Sequence, residues 1–127
     1  MAKILVVEDD KLIRDGVVGM IRSHSDHDVL FVENGKLGYE TALAEKPDLI
    51  ISDVHMPEMT GTEMAAKLRE DKWGKQVPII IMTNDEAAGT VNDALSAGVT
   101  SYLSKLTVDP IILMHQIELS LQQGLPA

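Results

Sequence analysis

Short, unbroken runs of apolar residues alternate along this chain with stretches in which apolar side chains recur every three or four positions. Ile4-Leu5-Val6-Val7 is the first run, rich in β-branched residues, too short for a helix and ended abruptly by Glu8-Asp9-Asp10. It predicts a buried strand with acids at its carboxyl end. Ile13, Val17, Met20 and Ile21 then share one helical face, with Asp10 as N-cap. Residues 28–32 predict a second strand and Asn34-Gly35 a turn. Tyr39, Ala42 and Leu43 weakly mark a second helix, which Pro47 stops.

The run Asp48-Leu49-Ile50-Ile51-Ser52 delivers Asp53 at the end of a third strand. Thr60-Gly61-Thr62-Glu63 has capping-box spacing ahead of Met64, Ala65 and Leu68, which starts a third helix a short loop beyond Asp53. Val77 to Met82 predicts a fourth strand ending at Thr83. Asn84-Asp85 can cap the helix that contains Ala88, Val91, Ala94 and Leu95, and Gly98 suits the left-handed position that closes it. Residues 100–104 predict a fifth strand ending at Lys105. Asp109-Pro110 supplies the N-cap and first position of a last helix, which fades at Gly124-Leu125-Pro126.

Strict alternation, with strands apolar on both faces, predicts an α/β fold: a parallel sheet with right-handed crossovers and helices on both sides. The 127 residues suffice for one domain with a full core, assigned to residues 1–123, with 124–127 a tail or the start of a linker. Cysteine is absent, which removes disulfide and thiol chemistry. A net charge of -9 argues against direct contact with nucleic acid or an anionic membrane and favours basic partners. No signal peptide precedes the first strand, and no apolar run approaches the roughly 20 residues of a membrane helix, so a cytoplasmic location is expected.

Open α/β sheets do their chemistry at the carboxyl edge. There the pattern gathers Glu8, Asp9 and Asp10 from the first strand, Asp53 from the third, Thr83 from the fourth and Lys105 from the fifth. Carboxylates so close repel one another by a few kcal/mol per pair at an effective dielectric of about 20, so the rim calls for a cation. Oxygen ligands without His or Cys at metal spacing favour Mg²⁺. A hydroxyl and an ammonium beside them form a clamp for a phosphoryl group, with Asp53 as a nucleophile able to form an acyl phosphate.

KILVVEDD at the start, PDLIISDVHMPEMTG around Asp53, VPIIIMT ending at Thr83 and AGVTSYLSK ending at Lys105 together resemble the receiver domain of two-component response regulators, over essentially the whole chain. The resemblance implies a single doubly wound (βα)5 domain of flavodoxin-like order 2-1-3-4-5. It implies that Asp53 accepts a phosphoryl group from a histidine kinase or phosphotransfer protein. Asp9 is then the main Mg²⁺ acid, Glu8 its neighbour acting through water, and His55 a ligand through its backbone carbonyl. Thr83 bonds the phosphoryl oxygen, Lys105 pairs with it, and Tyr102 is the switch aromatic whose ring reorients. Output passes through the fourth helix, fifth strand and fifth helix to a downstream protein or output domain, or to a phosphorylation-dependent homodimer. The chain is then a stand-alone receiver or one excised from a longer regulator, a signalling switch that catalyses only its own phosphorylation and dephosphorylation.

Two positions depart from the family pattern. Leu106 stands where the family has a proline in a cis bond. A cis bond before a non-proline residue costs roughly 3 kcal/mol, so a trans bond, a rearranged loop and a weaker anchor for Lys105 are expected. Asn84 replaces a small residue at the entrance to the aspartate, and His55 and Asp85 occupy positions that tune dephosphorylation, so slow hydrolysis of the acyl phosphate is expected.

Other features read more simply. His24, Asp26, His27 and Asp28 are expected to be a solvated loop rather than a second metal site, and Trp73 a loop anchor. In the last helix Leu113, Met114, Ile117 and Leu121 make a core face, while Ile112 and Leu119 form a candidate docking stripe. Two rival functions share part of the pattern: a phosphatase of the haloacid dehalogenase type, which needs an Asp where His55 stands, and a phosphate-independent interaction module.

Overall fold

The computed structural model describes residues 1–123; the expected helix end at Gly124 and the tail at 124–127 lie outside the described residues. The elements run β1 (Lys3–Val7), α1 (Lys11–His24), β2 (Asp28–Val32), α2 (Gly35–Glu45), β3 (Leu49–Ser52), α3 (Gly61–Glu70), a 3-10 turn (Trp73–Lys75), β4 (Ile79–Thr83), α4 (Ala88–Ser96), β5 (Ser101–Ser104) and α5 (Pro110–Gln123). All strand pairs are parallel, in the order β2-β1-β3-β4-β5. β1 lies near the centre, and the chain reverses direction across the sheet between β1 and β3, which opens a crevice beyond their carboxyl ends.

The period-2 geometry of a strand sorts each apolar run into two cores. Leu5, Val7, Ile50, Ile79 and Ile81 face Ala42, Met64, Ala65 and Leu68 of α2 and α3. Ile4, Val6, Leu49, Ile51, Ile80 and Met82 face Val17, Val18 and Ile21 of α1 and Leu113 and Ile117 of α5. The weak apolar pattern of α2 now has a physical reason. Gly38 and Ala42 are its buried contacts, and a Cβ at Gly38 would run into Met64 and Val7, so α2 packs through small residues rather than large ones.

Local signals largely act as expected. Asp10 accepts hydrogen bonds from the Leu12 and Ile13 amides, Asn34 from Leu37, and Thr60 and Glu63 form a reciprocal capping box. Gly98 has φ +99° after α4, and the Asp109 carboxylate accepts from the Ile112 amide ahead of α5.

Three expectations need correction. Asn84 and Asp85 do not cap α4, which begins at Ala88 behind an uncapped Ala87; Asp85 instead accepts from the Ala87 amide within the loop. His27 is not solvated: its ring bonds the Ala2 amide through Nδ1 at 3.0 Å and the Glu118 carboxylate through Nε2 at 2.7 Å. The proposed stripe on α5 also shifts, because Leu119 is half-buried while Ile111 and Ile112 are exposed, at 80% and 43%. Trp73 serves as the expected anchor, packing against the α2/α3 core.

Candidate functional site

Each strand end delivers its polar residue to the same rim. Val7 pairs with Ser52 across β1 and β3, so Glu8 and Asp53 emerge side by side, and the Asp53 amide continues the ladder to the Val7 carbonyl at 3.2 Å. Thr83 pairs with Ser104 across β4 and β5, and the Lys105 amide donates to the Thr83 carbonyl at 2.9 Å. The parallel ladder itself thus sets acids on one side of the crevice and the hydroxyl and ammonium on the other.

Lys105 reaches back across the crevice. Its Nζ donates to Glu8 Oε1 at 2.6 Å and to Asp53 Oδ2 at 2.7 Å, with only about a tenth or less of any of the three side chains exposed. The expected weak anchor is therefore corrected. The chain has no cis bond among the described residues, and the backbone through Leu106 still places the ammonium between both carboxylates. Leu106 itself is 75% exposed.

Burial pushes the Glu8 carboxyl above its ordinary value, while Lys105 and the Asp10 amide pull it part of the way back. Burial also works against the Lys105 charge, but the hydrogen bonds to Asp53 and Glu8 outweigh it and hold the ammonium above the usual lysine value. Glu8 Oε2 also accepts from the Asp10 amide, so both of its carboxylate oxygens have a donor.

Glu8, Asp9 and Asp53 each offer a carboxylate oxygen within 4.8 Å of the others. One lysine cannot balance three acids at that spacing. The donor set is oxygen throughout, with Asp9 exposed on the open side, and fits a hard divalent cation. Asp10, by contrast, is spent on the α1 cap.

Asp53 is held from below as well. Its Oδ1 accepts from the Val54 amide at 2.6 Å, Ser52 Oγ donates to its carbonyl at 2.8 Å, and Gly61 N–H bonds the Val54 carbonyl at 2.8 Å. A Cβ at Gly61 would overlap the Asp53 carbonyl, so only glycine lets α3 start this close to the acid. Gly61 sits in the segment that carries the resemblance, but its role shows only in the packed structure. Arg14, which donates to the Glu8 carbonyl at 3.0 Å, had no signal in the sequence beyond its place one turn into α1.

On the other side Thr83 is buried, and its Oγ1 accepts from the Asp85 amide at 3.2 Å. The Tyr102 hydroxyl donates to the Asp85 carbonyl, and its half-buried ring packs against the α2/α3 core. Burial, then the nearby acids Asp85, Asp53 and Glu86, raise the Tyr102 pKa and keep it a donor. The His55 side chain turns from the acceptor loop to Asp85.

Comparison with known proteins matches this geometry. The family model of the response regulator receiver domain covers residues 4–118. The chain is 33% identical over 120 residues to chemotaxis protein CheY1 of Helicobacter pylori, covering 94% of this chain and 96% of that protein. It is 37% identical over 102 residues, 80% of this chain, to histidine kinase P4 of Formosa agariphila, but spans only 7% of that much longer protein.

Among solved structures, chemotaxis response regulator CheY4 of Vibrio cholerae superposes with a TM-score of 0.86 at 29% identity, covering 94% of this chain and 98% of that one. The receiver domain of sensor histidine kinase PA1611 from Pseudomonas aeruginosa, solved with a magnesium ion in its active-site cleft, gives a TM-score of 0.88 at 26% identity, covering 95% and 98%. Neither the phosphatase reading nor the phosphate-independent module is favoured by these matches. With the family model matched over nearly its whole length and the same fold in its solved relatives, the chain belongs to the response regulator receiver domains, the phosphorylation-activated switches of two-component signalling.

Proposed function

We propose that Asp53 is the phosphoryl acceptor of this receiver. The observation that carries the proposal is the Lys105 ammonium bound at once to Asp53 and Glu8, with Asp9 completing the acid cluster. An Asp53 carboxylate oxygen attacks the phosphorus of a phosphohistidine on a histidine kinase or phosphotransfer protein. The P–N bond breaks and the imidazole leaves. Lys105 pairs with the transferred oxygens and the Thr83 hydroxyl turns to bond one of them.

Glu8, Asp9, Asp53 and the His55 carbonyl are the residues that would hold Mg²⁺, whose part is to neutralise charge among the carboxylates and the incoming phosphoryl group. Phosphodonor and Mg²⁺ together should add one phosphoryl mass to the wild type and none to Asp53→Asn; equal labelling of both proteins would overturn the assignment. A half-life of minutes or longer for the phospho-form is expected, and decay within seconds after donor removal would contradict it.

The output face of this reading is α4, β5 and α5. Leu95 on α4 and Ile111 and Ile112 on α5 stand exposed there, at 50%, 80% and 43%, and suit a downstream protein or a second copy of the domain. The reading also puts the domain in the cytoplasm, as a switch that catalyses only its own phosphorylation and dephosphorylation.

A further inference from the structure

Asp85 gathers hydrogen bonds from several parts of the fold. Its Oδ2 accepts from His55 Nε2 at 2.7 Å and from the Thr90 hydroxyl at 3.0 Å, and its Oδ1 from the Ala87 amide at 3.0 Å. Its own amide donates to Thr83 Oγ1 at 3.2 Å, and its carbonyl accepts from the Tyr102 hydroxyl. The His55 bond and the two loop bonds hold the carboxyl below the usual aspartate range.

These partners differ in what they can fix. Ala87 and Thr90 lie two and five residues further along the same loop and helix, while Thr83 at the end of β4 and Tyr102 on β5 stand on the same side of the crevice as Asp85. His55 is thirty residues away, on the loop that carries Asp53. Of the bonds named here, it alone ties Asp85 to the acceptor side of the crevice. The bond needs only an N–H at Nε2, which both the neutral and the charged imidazole can supply.

Resting on the receiver reading above, we infer that the His55–Asp85 hydrogen bond is a latch between the acceptor loop and the loop after β4. It holds the Asp85 carbonyl where Tyr102 reaches it, and so favours the Tyr102-bound arrangement before any phosphoryl group arrives. His55 and Asp85 are thus positioning residues for the switch.

Fluorine NMR of the 3-fluorotyrosine-labelled protein, without Mg²⁺ or phosphodonor, tests the latch directly. The chain has two tyrosines, so Tyr39→Phe assigns the Tyr102 signal. His55→Ala keeps the backbone carbonyl, and with the side chain 63% exposed it leaves the fold intact. It should lower the ratio of bonded to free Tyr102 by about fivefold, the factor that losing one hydrogen bond of ordinary net strength produces. His55→Gln, which keeps an N–H at similar reach, should restore most of that ratio.

An unchanged Tyr102 signal in His55→Ala would overturn the latch, as would a His55→Gln protein that behaves like the alanine variant. Because no phosphoryl group is involved, this result stands apart from the labelling of Asp53. Failure of the acceptor reading and failure of the latch are therefore separate outcomes.

Discussion

The two rims of the sheet carry similar residue types and use them differently. At the amino rim the charged and titratable groups are paired locally, with main-chain amides or with one opposite group. The Asp48 carboxylate takes the Lys3 amide at 2.8 Å, His27 takes the Ala2 amide and Glu118, and Lys3 reaches Glu45 at 3.2 Å. At the carboxyl rim three acids crowd around one lysine. A cleft of about 500 Å³ opens at the amino rim, lined by Met1, His27, Pro47, Trp73 and Pro78 among others. Cleft size therefore does not mark the chemistry here. What marks it is charge left over after local pairing, and the amino rim has little to spare.

The largest expected effect that tests this contrast is Lys105→Met, which leaves Glu8 and Asp53 buried without their cation. Unfolding in urea should show a loss of about 3 kcal/mol. A loss no greater than that of an exposed ion pair would mean that the acids at this rim are as well paired as those at the other.

Next, Mg²⁺ at a hundredfold its dissociation constant should stabilise the wild type by about 2.7 kcal/mol and Asp9→Asn by much less, seen as a shift in thermal midpoint. Equal shifts would place the ion elsewhere. At the amino rim, His27→Ala should cost about 1 kcal/mol of stability and leave the rate of Asp53 labelling unchanged. A change in that rate would show that the two rims communicate.

An effect of similar size lies at the start of α3, beside the carboxyl rim. Thr60→Ala should cost about 1 kcal/mol at neutral pH. Hydrogen bonds from the Thr60 amide and hydroxyl lower the Glu63 pKa, so the reciprocal half of the box contributes above the unfolded-state value of about 4.3 and is lost as pH falls through the lowered folded-state value. Denaturant titrations at pH 7 and near pH 3 should therefore show a smaller Thr60→Ala penalty in acid.

Much of this was legible in the sequence because its signals are local. A strand end, a cap and a polar residue just beyond an apolar run are all read within a few residues, which is why Asp10, Thr60 and Asp109 act as their positions suggest. The same signals place Asp53 and Lys105 at their strand ends. Contacts between distant segments left no such trace. His27 meets Glu118 across 91 positions, and His55 meets Asp85 across thirty. Arg69 donates to the Gly74 and Gly98 carbonyls, at 2.7 and 2.6 Å, and nothing in its neighbourhood announces it. The α4 cap misled for the opposite reason: Asp85 has cap chemistry but spends it on its loop and on His55.

Gly61 gives the crevice unequal compliance. On its side Asp53 is wedged between the β1 ladder and the first turn of α3, where main-chain atoms are in contact and nothing can yield. On the opposite side Thr83 and Tyr102 are held in the β4/β5 ladder, and the loop that follows Thr83 is tied to them and to His55 by hydrogen bonds at Asp85. The loop after β4 thus meets the crevice through side-chain hydrogen bonds, where α3 meets it through main-chain packing.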